Sequence, residues 1–192
     1  MEVSIGVSNH HVHLTEEDLN ILFGDGYKLE ELKKINQPGQ FASTAKVTLK
    51  TEKDTIENVR VLGPIRPYTQ VEISKTDAFK LGLNPPVRTS GDLEGSSPIT
   101  VVGPKGEIKL NQGCIIADRH IHINPKQMEL YGLQGLEKVD VLIGGIKGGI
   151  LYNVNLKVSE DSYYELHIDT DDANAHFIKD GDIGHILLRK YE

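Results

Sequence analysis

Apolar and polar residues alternate from the start of the chain. Val3, Ile5 and Val7 stand between Glu2, Ser4, Gly6 and Ser8, which predicts a strand. The period then changes. Thr15 followed by Glu16, Glu17 and Asp18 predicts a helix start with Thr15 as N-cap. Leu19, Ile21, Leu22 and Phe23 continue that helix and Gly24 ends it. A second short helix is predicted over about Lys28 to Ile35. From Gly39 to Thr100 short β-type runs dominate, at Val47–Thr51, Val59–Leu62 and Val71–Ile73, with Gly63-Pro64 and Pro85-Pro86 breaking structure between them. One helix interrupts, from Ser74 to Leu81, closed by Gly82. Short strands at this spacing predict a barrel or a sandwich.

The second half repeats this grammar. Ile115 to Ala117 is strand-like, and Asn124-Pro125 supplies an N-cap with proline in the first helical turn. Strands are predicted at Val139–Ile143 and Ile150–Val158, with the glycines at 144, 145, 148 and 149 read as a hairpin turn with a bulge. No Gly-Lys-Ser/Thr follows a glycine loop, so no phosphate-binding P-loop is present. Leu166 to Thr170 predicts a strand running into a helix near Asp171. The halves match at specific positions. Ser8 to Thr15 parallels Ala117 to Asn124, and Val71 to Ser74 parallels Leu166 to Asp169, each leading into a helix with Asp-Ala (Asp77-Ala78, Asp172-Ala173). The expected fold is mainly β with short helices: two related β-rich domains from a degenerate internal repeat.

Composition narrows the function. The chain has 192 residues, 28 acidic and 21 basic, for a formal charge of −7, which argues against a general nucleic-acid binder. No apolar run approaches the ~18 residues of a membrane span, and no basic region followed by an apolar stretch marks a signal peptide. The expectation is a soluble, cytoplasmic protein. A lone cysteine, Cys114, excludes an internal disulfide framework and a Cys-rich zinc ribbon, and reads as a buried small apolar residue.

The eight histidines carry the chemistry. In a strand, residues i and i+2 face the same way, so His11 with His13, and His120 with His122, each present two imidazoles side by side. Glu72 completes a His₂Glu set and His167 a His₃ set, three protein donors with one position open, the pattern of a catalytic zinc rather than a closed structural one. One His-x-His pair alone would read as ordinary histidines; two at equivalent places of a repeat point to metal. His10, His176 and His185 lack repeat partners and read as surface residues or neighbours of a ligand. Arg66, held between turns before Glu72, is suited to clamp an oxyanion with its planar fork. Arg88-Thr89-Ser90-Gly91-Asp92 is a second donor-rich loop, which alone reads as a turn.

Together, Ser8 to Leu14, Gly63-Pro64-x-Arg66, Thr69 to Glu72, Ser90-Gly91-Asp92, Arg119 to His122 and His167 to Asp171 make the chain similar to the Pdu-type phosphotransacylases (the PduL family, or phosphate propanoyltransferases) over nearly its whole length. The resemblance implies reversible conversion of a short-chain acyl-CoA, propanoyl-CoA or acetyl-CoA, and phosphate into acyl phosphate and CoA, by direct attack, with a place in propanediol degradation. It implies two β-barrels capped by short α-helices, one of residues 10–117 and one of 118–192 with the N-terminal strand 1–9, and a dinuclear zinc site between them in a homodimer. Two Zn²⁺ per chain would be held by His11, His13 and Glu72, which leave a position for the CoA sulfur, and by His120, His122 and His167. Arg66 would bind phosphate and the developing charge. Ser8, Ser90 and Asn174 would lie near the substrates, with Arg88, while Gln40 and Phe41 would contact CoA. The family often has arginine where this chain has His10. Microcompartment-targeted members carry an N-terminal extension, whereas this sequence begins on its first strand. Two other readings differ in chemistry: a dinuclear metallohydrolase, and a non-catalytic cupin-like metal-binding barrel. Cupins usually set a glutamate a few residues after His-x-His, where this chain has Glu16 on a helix start.

Overall fold

The computed structural model describes residues 1–188; residues 189–192, the end of the expected second domain, lie outside it. The chain divides into two compact units. One is Asn9–Ala117, and the other joins Met1–Ser8 to the chain from Asp118 on. The first strand, β1 (Glu2–Ser8), thus belongs with the C-terminal half.

The unit of residues 9–117 contains β2 (His11–His13), α1 (Glu16–Phe23), β3 (Glu31–Lys34), β4 (Phe41–Lys50), β5 (Thr55–Gly63), β6 (Gln70–Glu72), α2 (Lys75–Leu81), β7 (Val87–Arg88), β8 (Ser97–Val102) and β9 (Glu107–Ala117). Six of these strands close a ring. β2 pairs antiparallel with β6, and β6 runs parallel to β9. β9, β8, β4 and β5 follow in antiparallel pairs, and β5 returns parallel to β2. Closure removes the open edges that a flat sheet would leave. Alternate residues fill the core, among them Val12, Leu49, Val59, Val61, Val71, Val101 and Cys114, all fully buried.

The other unit contains β1, β10 (His120–Ile123), α3 (Pro125–Leu130), β11 (Lys138–Ile143), β12 (Gly149–Val158), β13 (Glu165–Asp169), α4 (Thr170–His176) and β14 (Ile183–Leu187). Its closed barrel runs β1-β13-β10-β12-β11-β14. Each pairing has its counterpart in the first ring. β10 is antiparallel to β13, β13 parallel to β1, and β12 parallel to β10. The pairs β1·β14, β14·β11 and β11·β12 are antiparallel. In this correspondence β10 stands for β2, β13 for β6 and β1 for β9. The strand that precedes each His-x-His motif is therefore built into the other unit's ring. Parallel neighbours require long connections: those of β2·β5, β6·β9 and β10·β12 run within one unit, and that of β1·β13 passes through the whole of the other.

The caps follow the local sequence. Thr15 and Asn124 accept from the backbone N–H of Asp18 and Gln127, and Ser74 and Asn124 complete capping boxes with Asp77 and Gln127. α4 begins at Thr170 on the Asp169 cap. The segment expected as a helix over residues 28–35 is different: Glu31–Lys34 is a strand paired with β4. All four of its residues are exposed, so no apolar face fixes a helix, and pairing with β4 decides. The glycine loop does connect β11 to β12. The bulge lies inside that pair, where the register shifts between Val139 and Val141. Asn153 takes a left-handed φ of 58° there, and its N–H donates to the Asp140 carboxylate. No helix among the described residues is long and apolar enough to cross a membrane.

Leu166 is fully buried in the second core, between the alternate positions of β13 that leave the core. Leu166→Ala is expected to cost about 2–5 kcal/mol in a denaturant melt, whereas Phe79→Ala, at an exposed position, should change stability by less than about 0.5 kcal/mol.

Candidate functional site

Strand register builds the first cluster. β2 and β6 place His11 opposite Glu72 and His13 opposite Gln70, with Val12 and Val71 between them pointing into the core. The donor atoms of His11, His13 and Glu72 all lie within 4.8 Å of one another. His11 Nδ1 lies 2.9 Å from the Asn9 carbonyl, which can only accept, so that nitrogen carries the proton and Nε2 faces Glu72 Oε2 at 3.3 Å. Burial opposes charge on His11, but the charge and hydrogen bond of Glu72, with the Asn9 carbonyl, outweigh it and raise its pKa. His13 goes the other way. Burial, then the charges of His11 and Arg66, push its pKa down to about 3, so the ring stays neutral. Its Nδ1 is buried without a hydrogen bond of ordinary geometry; the Leu62 backbone is the weakest of the influences on the ring.

The second cluster repeats this geometry in the other unit. β10 and β13 set His120 opposite His167 and His122 opposite Glu165. His120 Nδ1 lies 2.8 Å from the Asp118 carbonyl, at the same offset as Asn9 from His11, and its Nε2 is 3.2 Å from His122 Nε2. Burial, then His120, His167 and Lys157, hold the His122 pKa down at about 2. The donors of His120, His122 and His167 also lie within 4.8 Å of one another.

These sets fit a divalent metal. Ligand bonds of 2.0–2.1 Å in a tetrahedral centre separate neighbouring donors by about 3.3 Å, which matches both close pairs. Two depressed histidines supply neutral nitrogens, as metal binding requires. Three donors per cluster leave a coordination position for substrate or water.

Around the first cluster the structure joins several residues singled out in the sequence. Arg66 Nη1 donates to Ser90 Oγ at 3.3 Å and Nη2 to Gln40 Oε1 at 3.4 Å. Both acceptors are neutral, and among the described residues no ion pair offsets the Arg66 charge. Phe41 pairs with Gly63 at the head of the loop that carries Arg66, and its ring lies so close over Gly63 that a Cβ there would overlap it. Arg88, at the end of β7, instead reaches Asp92 in the following loop at 3.5 Å. Ser8 ends β1 beside Asp169 in the second unit, and Asn174 is exposed on α4. His10 is no isolated histidine. Its Nδ1 lies 3.1 Å from Asp77 on α2, and at the equivalent place Arg119 holds Asp172 on α4 through two bonds of 2.6 and 2.7 Å.

Two buried residues at the clusters were not singled out in the sequence. Gln70, fully buried, donates to Glu72 Oε1 at 2.5 Å and Ser90 Oγ at 2.8 Å, and accepts from Gly91 N at 2.7 Å. Glu165, 6% exposed, lies 2.8 Å from His167 Nε2. Their signal was available: each stands two residues before a third ligand candidate, on the same strand face.

Comparison with known proteins places the chain in a family. Residues 4–179 match the model of the family described as phosphate propanoyltransferase. The chain belongs to the phosphate propanoyltransferase family. It is accordingly an acyltransferase. A phosphate propanoyltransferase of Thermotoga maritima is 50% identical over 96% of this chain and 89% of that protein. Those of Rhodopseudomonas palustris and Salmonella typhimurium are 45% and 44% identical, covering 98% and 90% of this chain and 83% and 82% of theirs.

Cys114 is the one thiol an acyl group could occupy in this acyltransferase, and its surroundings oppose that. Burial, then the nearby Asp77 charge, push its pKa up to about 12, and the thiolate is the nucleophile. At pH 8 the native protein should resist iodoacetamide and react within minutes once unfolded, as mass spectrometry would read. Rapid labelling of the folded protein would reopen a covalent route.

Proposed function

We propose that the protein interconverts a short-chain acyl-CoA and phosphate with acyl phosphate and CoA by direct attack, using two zinc ions. His11, His13 and Glu72 would hold one, and His120, His122 and His167 the other. The observation that carries this reading is the recurrence of a three-donor, open-position cluster at equivalent strand positions of both rings, in a chain of this family. Zinc at such centres supplies Lewis-acid polarisation of a carbonyl and a favourable partner for a thiolate.

The chain's own groups account for the remaining steps. A phosphate oxygen attacks the thioester carbonyl carbon, the C–O bond forms, the C–S bond breaks, and the sulfur leaves with the electron pair as CoA thiolate. Arg66 keeps its full charge for the phosphate because Ser90 and Gln40 orient it through neutral acceptors. Gln70 holds Ser90 and the Glu72 carboxylate in one register. Phosphate already bears negative charge at neutral pH, so no side chain need act as general base. The thiol route through Cys114 is disfavoured by its raised pKa. Acetyl and propanoyl groups differ by one methylene, worth about 1–3 kcal/mol in a fitted pocket, so both acyl-CoA substrates belong to the reading.

Loss of the thioester, followed at its ultraviolet absorbance with acetyl-CoA and propanoyl-CoA, should require phosphate and should fall on chelation and recover with zinc. Equal thioester loss without phosphate, with release of free acid, would identify a hydrolase instead. Arg66→Ala should lower kcat/KM for phosphate by about 100-fold or more, and His122→Ala should remove one metal equivalent together with activity.

A further inference from the structure

Gln70 and Glu165 occupy the same place in the two rings. Gln70 faces His13 and stands two residues before Glu72; Glu165 faces His122 and stands two residues before His167. In the first ring the third ligand candidate is a carboxylate, and its neighbour is an amide that donates to it at 2.5 Å. In the second ring the third candidate is an imidazole, and its neighbour is a carboxylate that accepts from it at 2.8 Å. The polarity of the contact is reversed and the position is kept. A carboxylate can only accept, so Nε2 of His167 carries its proton toward Glu165, and the neutral ring keeps its lone pair on Nδ1.

The N-terminal strand makes room for this contact. β1 runs parallel to β13 with Gly6 opposite His167. A Cβ on Gly6 would lie 3.0 Å from the Glu165 carboxyl carbon and from its Oε2, and 3.3 Å from His167 Cδ2. A glycine inside an alternating strand is a sign of such close approach.

We propose that Glu165 is a positioning residue of the second centre, which holds His167 as the Nε2–H tautomer and so directs Nδ1 to a metal ion; this rests on reading His120, His122 and His167 as a metal centre. Carboxylates that accept from the far nitrogen of a ligand histidine fix the ring and raise its basicity, and their loss weakens binding about 10–100-fold.

Two measurements test it. In metal-free protein, well above the ordinary histidine pKa, long-range ¹H–¹⁵N spectra should assign His167 to the Nε2–H tautomer, and Glu165→Ala should return a mixture. An Nδ1–H tautomer in the native protein would overturn the proposal. In a His13→Ala background, which silences the first cluster, Co²⁺ titrations should find binding weakened about 10–100-fold by Glu165→Ala. Glu165→Gln keeps an acceptor oxygen and should restore most of the affinity with an unchanged visible Co²⁺ spectrum. Undiminished binding in Glu165→Ala, or a Glu165→Gln spectrum altered as by loss of a bound oxygen, would sink the positioning role. No Co²⁺ binding in the His13→Ala parent would overturn the metal centre itself, and the proposal with it.

Discussion

Both donor clusters depend on one constraint, the antiparallel register of a His-x-His strand against the strand of the third ligand candidate. His11 meets Glu72 and His120 meets His167 only in that register. The residues between the donors, Val12 and Val71 in one ring and Ile121 and Leu166 in the other, are all fully buried. A one-residue slip would turn these apolar residues out of the core and drive imidazoles and carboxylates into it. Core and donor cluster are thus opposite faces of the same strands, and the hydrophobic effect that closes each ring also holds its donors in place.

The recurrence extends beyond the ligand candidates to what supports them. Asn9 and Asp118 both offer a carbonyl to the Nδ1 of the histidine two residues on. His10 with Asp77, and Arg119 with Asp172, tie the residue before each motif to the third residue of the helix that follows the third ligand candidate. The helix N-terminus is also where an acid is favoured by the backbone dipole. Asp77 is held below the usual carboxylate range although burial works against it, because His10 and the Ser74 backbone favour its charge. Each cluster is therefore clasped at the entry of one strand and the exit of the other.

Much of this was legible in the sequence because it is local. Thr15, Ser74 and Asn124 announce their helices through caps that need only three following residues. The two His-x-His pairs and the matching Asp-Ala helices reveal the repeat. Which strand closes which ring was not legible from periodicity. The register of β1 on β13 joins Gly6 to His167 across most of the chain, and no neighbouring residue encodes it. The segment Glu31–Lys34 was misread for a related reason. Its residues are good helix formers, yet their neighbour β4 offered backbone partners and no apolar face opposed the exchange. Gln70 and Glu165 escaped because a polar residue beside a ligand candidate has no pattern of its own; only superposing Gln70-Val71-Glu72 on Glu165-Leu166-His167 exposes them.

That superposition also explains how an acidic chain can serve anionic substrates. A carboxylate stands at each cluster: the half-buried Glu72 among the donors of the first ring, and the buried Glu165 beside the donors of the second. Moving the carboxylate by one strand-face position changes the third donor from oxygen to nitrogen while the local charge stays the same. Depressed pKa values keep His13 and His122 neutral, so a divalent ion at either cluster would leave it with net positive charge. Arg66, which makes no ion pair among the described residues, adds to that charge at the first. The formal charge of −7 describes the whole surface. It places no limit on the field at two clusters whose positive charge would come from bound ions and one guanidinium, over distances shorter than the roughly 10 Å at which salt screens exposed groups.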